Sequence, residues 1–90
     1  MNLHGRRVVV TGASRGIGAA VARVLAAAGA RTLLVARGQG ALHQLAGSLA
    51  NATAYAADLT DTTAVAQLVH DAPERLGGPV EILVNNAGIF

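Results

Sequence analysis

Three glycines fall within eight residues in Thr11-Gly12-Ala13-Ser14-Arg15-Gly16-Ile17-Gly18, directly after the apolar run Val8, Val9 and Val10 and directly before a stretch with helical periodicity. That position suits an anion. The start of a helix offers amides without intrahelical partners and a dipole worth about half a positive charge, and glycines let a phosphate approach the backbone. In such a loop Gly12 serves the tight turn, Gly16 the approach of backbone to a pyrophosphate, and Gly18 the close packing of helix on strand. The plain alternative is an ordinary glycine-rich strand-to-helix turn. A kinase-type phosphate loop is excluded, because it needs a Gly-Lys pair and the sequence contains no lysine.

A dinucleotide reader that selects NAD places an acid about 20 residues past its glycine loop, to accept hydrogen bonds from the ribose 2′-hydroxyl. The first acid here is Asp58; Ala36 and Arg37 stand where the NAD-selecting residue belongs, and Arg15 lies in the loop itself. Two guanidinium groups can clamp a 2′-phosphate, so the expected cofactor is NADP(H), with NAD disfavoured. The alternative for Arg37 is a solvated surface charge. His4, His43 and His70 are too scattered for a metal site, and no cysteine exists to supply a thiolate. Ser14 belongs to the loop, and Ser48 has no His or Lys partner for nucleophilic work.

The elements that would position these residues can be read from periodicity. Arg7 to Val10 reads as a strand buried on both faces. Ile17, Val21, Val24, Leu25 and Ala28 then form one helical stripe that Gly29 stops. A second strand, Thr32 to Ala36, gives way at Gly38 and Gly40 to a helix bearing Leu42, Leu45, Ala46 and Leu49. Thr53 to Ala57 reads as a third strand. Thr60 or Asp61 caps a helix carrying Val65, Leu68, Val69, Ala72 and Leu76, which Pro73 should kink or end early and Gly77, Gly78 and Pro79 should close. Ile82 to Val84 is the fourth strand. Alternating strands and helices predict an α/β, Rossmann-like parallel sheet of about four strands, order 3-2-1-4, with helices on both faces.

With those elements placed, the chain resembles the short-chain dehydrogenase/reductase family, classical type, with the flavour of the acyl-carrier-protein reductases. Thr11, Gly12, Gly16 and Gly18 match its TGxxxGxG loop, Asp58-Leu59-Thr60 its acidic turn after the third strand, and Asn85-Asn86-Ala87-Gly88 its NNAG motif. The resemblance implies that Gly12, Ser14, Arg15, Gly16, Ile17 and Gly18 bind the cofactor together with Arg37. Asp58 and Leu59 would hold the adenine, and Asn86, beside Gly88, would support the ribose and the strand end. Asp58 also suits a turn or a cap, and Asn85 a hydrogen bond fixing neighbouring strands. The family's function is hydride transfer between NADP(H) and an alcohol or carbonyl, by a serine, a tyrosine and a lysine four positions after it. Tyr55, the single tyrosine, is followed four positions later by Leu59 and cannot be that acid. No catalytic residue is therefore assigned, and the chain is expected to be inactive alone.

Composition agrees with a folded domain: 90 residues, 52% hydrophobic, 13% charged, 11 glycines and only 2% aromatic. One domain spanning residues 1–90 is expected, an NADP-binding part of a fold whose substrate and catalytic part is absent, left with an open edge at the fourth strand. A non-catalytic NADP(H)-binding or sensing module and an interaction fragment needing a partner chain are the alternatives. The first half holds six arginines before Asp58, but they are spread singly and lack aromatics, which argues against nucleic acid. No apolar stretch reaches the ~20 residues of a membrane span. The absence of cysteine suits a reducing compartment, and the cytoplasm is the expected location.

Overall fold

The structure, a computed structural model, describes residues 2–86. Four strands and three helices alternate along the chain: β1 (Arg7–Thr11), α1 (Gly16–Ala27), β2 (Arg31–Ala36), α2 (Gln39–Gly47), β3 (Ala52–Ala56), α3 (Thr62–Leu76) and β4 (Ile82–Asn85). All strand pairs are parallel and the sheet order is β3-β2-β1-β4. This is the expected α/β architecture, and it leaves β3 and β4 as edges.

Period-two alternation divides the apolar residues between two cores. Val8, Val10, Leu34 and Ala36 meet Ala22 and Leu25 of α1 and Leu42, Leu45 and Ala46 of α2 on one face. Val9, Leu33 and Val35 meet Leu68, Ala72 and Leu76 of α3 on the other. β1 and β2 are thus buried on both sides, which is why they read as continuous apolar runs. Thr32 interrupts the second run; its Oγ1 is buried without a hydrogen-bond partner among the described residues.

Two expectations need correction. The stripe assigned to the first helix does not all face the sheet: Ile17 and Val24 are 64% and 55% exposed, and the buried face is Gly18, Ala22 and Leu25. Small residues face inward because α1 lies close against the strands, leaving the larger side chains outside. Ala28 lies just past the helix as its C-cap, and Leu49 lies just past α2. Likewise Val65 and Val69 of α3 are exposed, whereas Leu68, Ala72 and Leu76 are buried.

The second correction concerns Pro73, which neither ends α3 early nor displaces its cap. The helix continues to Leu76, and Gly77, at φ 81°, closes it with its amide donating to the Pro73 carbonyl at 2.9 Å. A proline this near the C-terminus costs one intrahelical amide bond, to the carbonyl of Val69 on the exposed side of the helix. At the other end Asp61, not Thr60, is the N-cap, accepting from the Thr63 amide at 2.9 Å.

Candidate cofactor site

In a parallel sheet of this kind ligands bind outside the carboxyl ends of the strands, where the chain's direction across the sheet reverses. Here that point lies between β1 and β4. β1 ends in Thr11, and its hydroxyl is the hub that joins the two strand ends. It donates to Asn85 Oδ1 at 3.1 Å and accepts from the Asn86 amide at 3.0 Å. The Asn86 side-chain amide reaches back to the Gly12 carbonyl at 3.2 Å. Asn85 thus fixes neighbouring strands as anticipated, and Asn86 ties the end of β4 to the glycine loop.

The three glycines meet different demands. Gly12 and Gly16 have φ of 62°, where a side chain is strained. A Cβ on Gly18 would overlap the Gly12 carbonyl and lie 2.7 Å from Asn86 Nδ2, so this position needs glycine for room. A Cβ on Gly16 would meet nothing within 4 Å, and the space beside the loop is open. Arg15 is the N-cap of α1, in extended conformation, and caps it with no side-chain hydrogen bond; the first turn carries no acid. The first-turn amides of α1 therefore retain no capping carboxylate or hydroxyl among the described residues, as an anion site requires. Ser14 is half-buried in the loop, and Arg15 and Ile17 are exposed.

Arg37 follows the last residue of β2 and is exposed, and Asp58 follows β3 and is exposed as well. Asp58 forms the anticipated turn: its Oδ1 accepts from the Thr60 amide at 3.0 Å and the Thr60 hydroxyl at 2.7 Å. Those two bonds, with a smaller contribution from the nearby Arg37 charge, hold its carboxyl below the usual range. Leu59 is half-buried and packs into the α3-side core. Arg15, Arg37, Asp58 and Asn86 all stand at the ends of strands or in the loops leaving them, on one edge of the sheet. Gly88 lies outside the described residues.

Four side chains between β3 and α3 were not assigned a partner by sequence. Tyr55 donates to Asp71 Oδ2 at 2.7 Å, and Gln67 donates to Asp71 Oδ1 at 3.0 Å. The Arg75 guanidinium sits 5.4 Å from the centre of the Tyr55 ring. The spacing of Gln67, Asp71 and Arg75 on one face of a helix was the available signal; that Tyr55 faces it depends on the sheet order. At the amino ends of the strands, away from the glycine loop, Arg6 pairs with Glu81 at 2.8 Å and Arg7 donates to the Pro79 carbonyl at 2.6 Å. Part of the arginine excess thus serves the fold. No group of three His, Cys, Asp or Glu side chains suited to a metal occurs among the described residues.

The family model described as short chain dehydrogenase matches residues 6–90. The chain belongs to that family. It is 43% identical over 94 aligned residues to the 1-deoxy-11-beta-hydroxypentalenate dehydrogenase of Streptomyces arenae, covering 100% of this chain and 33% of that protein. It is 39% identical to the L-xylulose reductase of Bos taurus, covering 99% of this chain and 34% of that one. Among solved structures, the Pseudomonas aeruginosa RhlG/NADP active-site complex superposes with a TM-score of 0.86 at 39% identity, over 97% of this chain and 36% of that one. The chain thus spans about a third of the length of these relatives. Among the described residues no helix is long and apolar enough to cross a membrane.

Proposed function

We propose that the carboxyl edge of this sheet binds NADP(H), and that the chain is the cofactor-holding, N-terminal portion of an oxidoreductase. The bound cofactor would supply or accept the hydride exchanged with an alcohol or carbonyl. The pyrophosphate would sit against the open first turn of α1, with Gly12, Ser14, Gly16, Ile17 and Gly18 shaping the approach. The free side of the Asp58 turn, with Leu59 behind it, would meet the adenine. Asn86 would support the cofactor's ribose.

The observation that carries the choice of NADP(H) is the end of β2. No acid stands there to accept bonds from a ribose 2′-hydroxyl, and Arg37 is exposed beside it. Arg15, exposed at the N-cap of α1, supplies a second guanidinium on the loop side. Hydrogen bonds to charged groups are worth about 1.5 to 3 kcal/mol, enough for one arginine to shift preference tenfold or more. The NADP complex of a 39% identical structure is consistent with this reading. Titrating the chain and its Arg37→Asp variant with NADPH and NADH tests it. The ratio of the two affinities should fall at least tenfold in the variant; an unchanged ratio contradicts the role of Arg37.

A second reading, a binding module without catalysis of its own, is favoured by the position of Tyr55. Its hydroxyl is engaged with Asp71 at the β3 edge, and the sequence supplies no lysine to partner it. Under either reading the role proposed for this chain's residues is to bind and orient the cofactor.

A further inference from the structure

β3 is one edge of the sheet, and among the described residues no strand lies outside it. Edge strands are usually guarded by charges, prolines or bulges, which stop them from pairing with another chain. β3 has none of these: it reads Ala52-Thr53-Ala54-Tyr55-Ala56, in unbroken register with β2. Its surroundings are unguarded too. Residues 38–57, which include α2 and β3, contain no Asp, Glu, Lys or Arg, although charged residues make up 13% of the chain. On one face Ala52 and Ala54 pack against the cluster that holds Leu42, Leu45 and Ala46 of α2. On the other, α3 rests on Val9 of β1 and on Leu33 and Val35 of β2, back from the edge.

The bonds to β2 decide which backbone groups of β3 are open. The Thr32 amide donates to the Asn51 carbonyl at 3.0 Å, and the Ala57 amide donates to the Ala36 carbonyl at 2.9 Å. In a parallel ladder every second residue turns both its amide and its carbonyl to the same neighbouring strand. Asn51, Thr53, Tyr55 and Ala57 therefore face β2, and Ala52, Ala54 and Ala56 present their amides and carbonyls outward.

Those outward groups are arranged symmetrically about Ala54. When β3 lies antiparallel to β3 of a second copy with Ala54 at the centre, Ala54 meets Ala54 of the second copy and Ala52 meets its Ala56. Each such pair exchanges both hydrogen bonds, so every outward group of the strand is used. Between them Thr53 faces Tyr55 of the second copy at the closer spacing, an aromatic and β-branched pair of the kind that stabilises antiparallel sheets. The Tyr55 side chain is already held, by its bond to Asp71 and by Arg75 near its ring, so pairing costs little further ordering. A register shifted by one residue sets outward groups against inward ones, and a shift of two leaves an alanine of each strand without a partner.

We propose that β3 is a self-association edge, which pairs antiparallel with β3 of a second copy about a two-fold axis at Ala54 and joins two four-stranded sheets into one. The axis is perpendicular to the sheet, so α2 of each copy comes beside α2 of the other, and neither carries a charge that would oppose the approach. This inference is independent of cofactor choice, because no residue assigned to the cofactor lies in β3.

Sedimentation and amide hydrogen exchange of the whole 90-residue chain test it together. The chain should pass from monomer to dimer as its concentration rises. Exchange at Ala52, Ala54 and Ala56 should slow by about tenfold or more in the dimer, with far smaller changes at Thr53, Tyr55 and Ala57, which are already bonded to β2. Ala54→Pro removes the central outward donor without touching the β2 ladder, and should raise the dimer dissociation constant by about tenfold or more. Ala56→Lys, at an exposed residue, keeps every amide but adds a charge to the edge and should act in the same direction. Resonance dispersion reports whether each variant keeps its fold. Leu83→Glu, on the opposite edge strand, should leave association unchanged. A chain that stays monomeric up to about 1 mM, or a dimer that persists in both β3 variants, would overturn the proposal. So would a dimer lost only in Leu83→Glu, or protection of the outward amides that appears only when an extended peptide is added, which would make the peptide the occupant.

Discussion

Gly18 is the tightest point in the site, because any side chain there meets the Gly12 carbonyl and the Asn86 amide together. Gly18→Ala should cost about 3 kcal/mol or more in urea unfolding, since the contacted atoms are backbone and a side chain held by its own hydrogen bond. A loss below about 1 kcal/mol would mean that helix and loop separate easily. Thr32 predicts the opposite sign. Its hydroxyl is buried without a partner among the described residues, so Thr32→Val keeps the shape, removes an unpaired polar atom and should stabilise by about 1 kcal/mol. At this scale the sequence was informative wherever a residue obeys a local rule. The glycines announce themselves by spacing, and Asn85 and Asn86 by following an apolar strand. The Thr32 orphan was hidden, because a threonine in a strand reads as good β-propensity and only the packed structure shows what surrounds its hydroxyl.

The elements show where local rules stop. Periodicity marks apolar positions on a helix but not what covers them: Ile17 and Val24 of α1 and Val65 and Val69 of α3 satisfy the pattern and face outward. Pro73 was read as a helix breaker on its intrinsic cost, whereas at one turn from the end it forfeits a single bond. Pro73→Ala restores that bond and should stabilise by about 2 kcal/mol, the helical gain exceeding the lost constraint on the unfolded chain. Thermal and urea unfolding check it.

The tie between β3 and α3 gives a pH dependence. The Tyr55 hydroxyl, then the Gln67 and His70 side chains, lower the Asp71 carboxyl to about 2, from its ordinary 3.8. A depressed carboxylate favours the fold when ionised, so its contribution is complete above about 4 and is lost as pH falls toward 2. Denaturant unfolding between those values should be less pH-dependent in Asp71→Asn than in the native chain. Equal slopes would show that the Asp71 contacts do not persist in solution.

For the whole molecule, the alternation of strands and helices made the parallel sheet and its order legible, because right-handed crossovers leave few arrangements. Strand boundaries shifted by a residue, as at β3, which runs Ala52–Ala56 where Thr53 to Ala57 was expected. Helices on both faces were expected and found, but which helix covers which face, and that Leu83 of β4 is left exposed, depend on packing and could not be read from sequence. The residues proposed for the cofactor fall together for the same reason as the fold: Gly12, Ser14, Arg15, Arg37, Asp58, Leu59 and Asn86 lie in the segments that leave the strands' carboxyl ends, and Gly16, Ile17 and Gly18 open α1.

We propose that this edge recognises a 2′-phosphorylated dinucleotide. Calorimetric titration of the unmodified 90-residue chain with NADPH and with NADH at low salt measures it most directly. NADPH should bind at least tenfold more tightly, and raising ionic strength should narrow the difference as the guanidinium–phosphate attraction is screened. Equal affinity for the two cofactors at every salt concentration, or preference for NADH, would contradict the account.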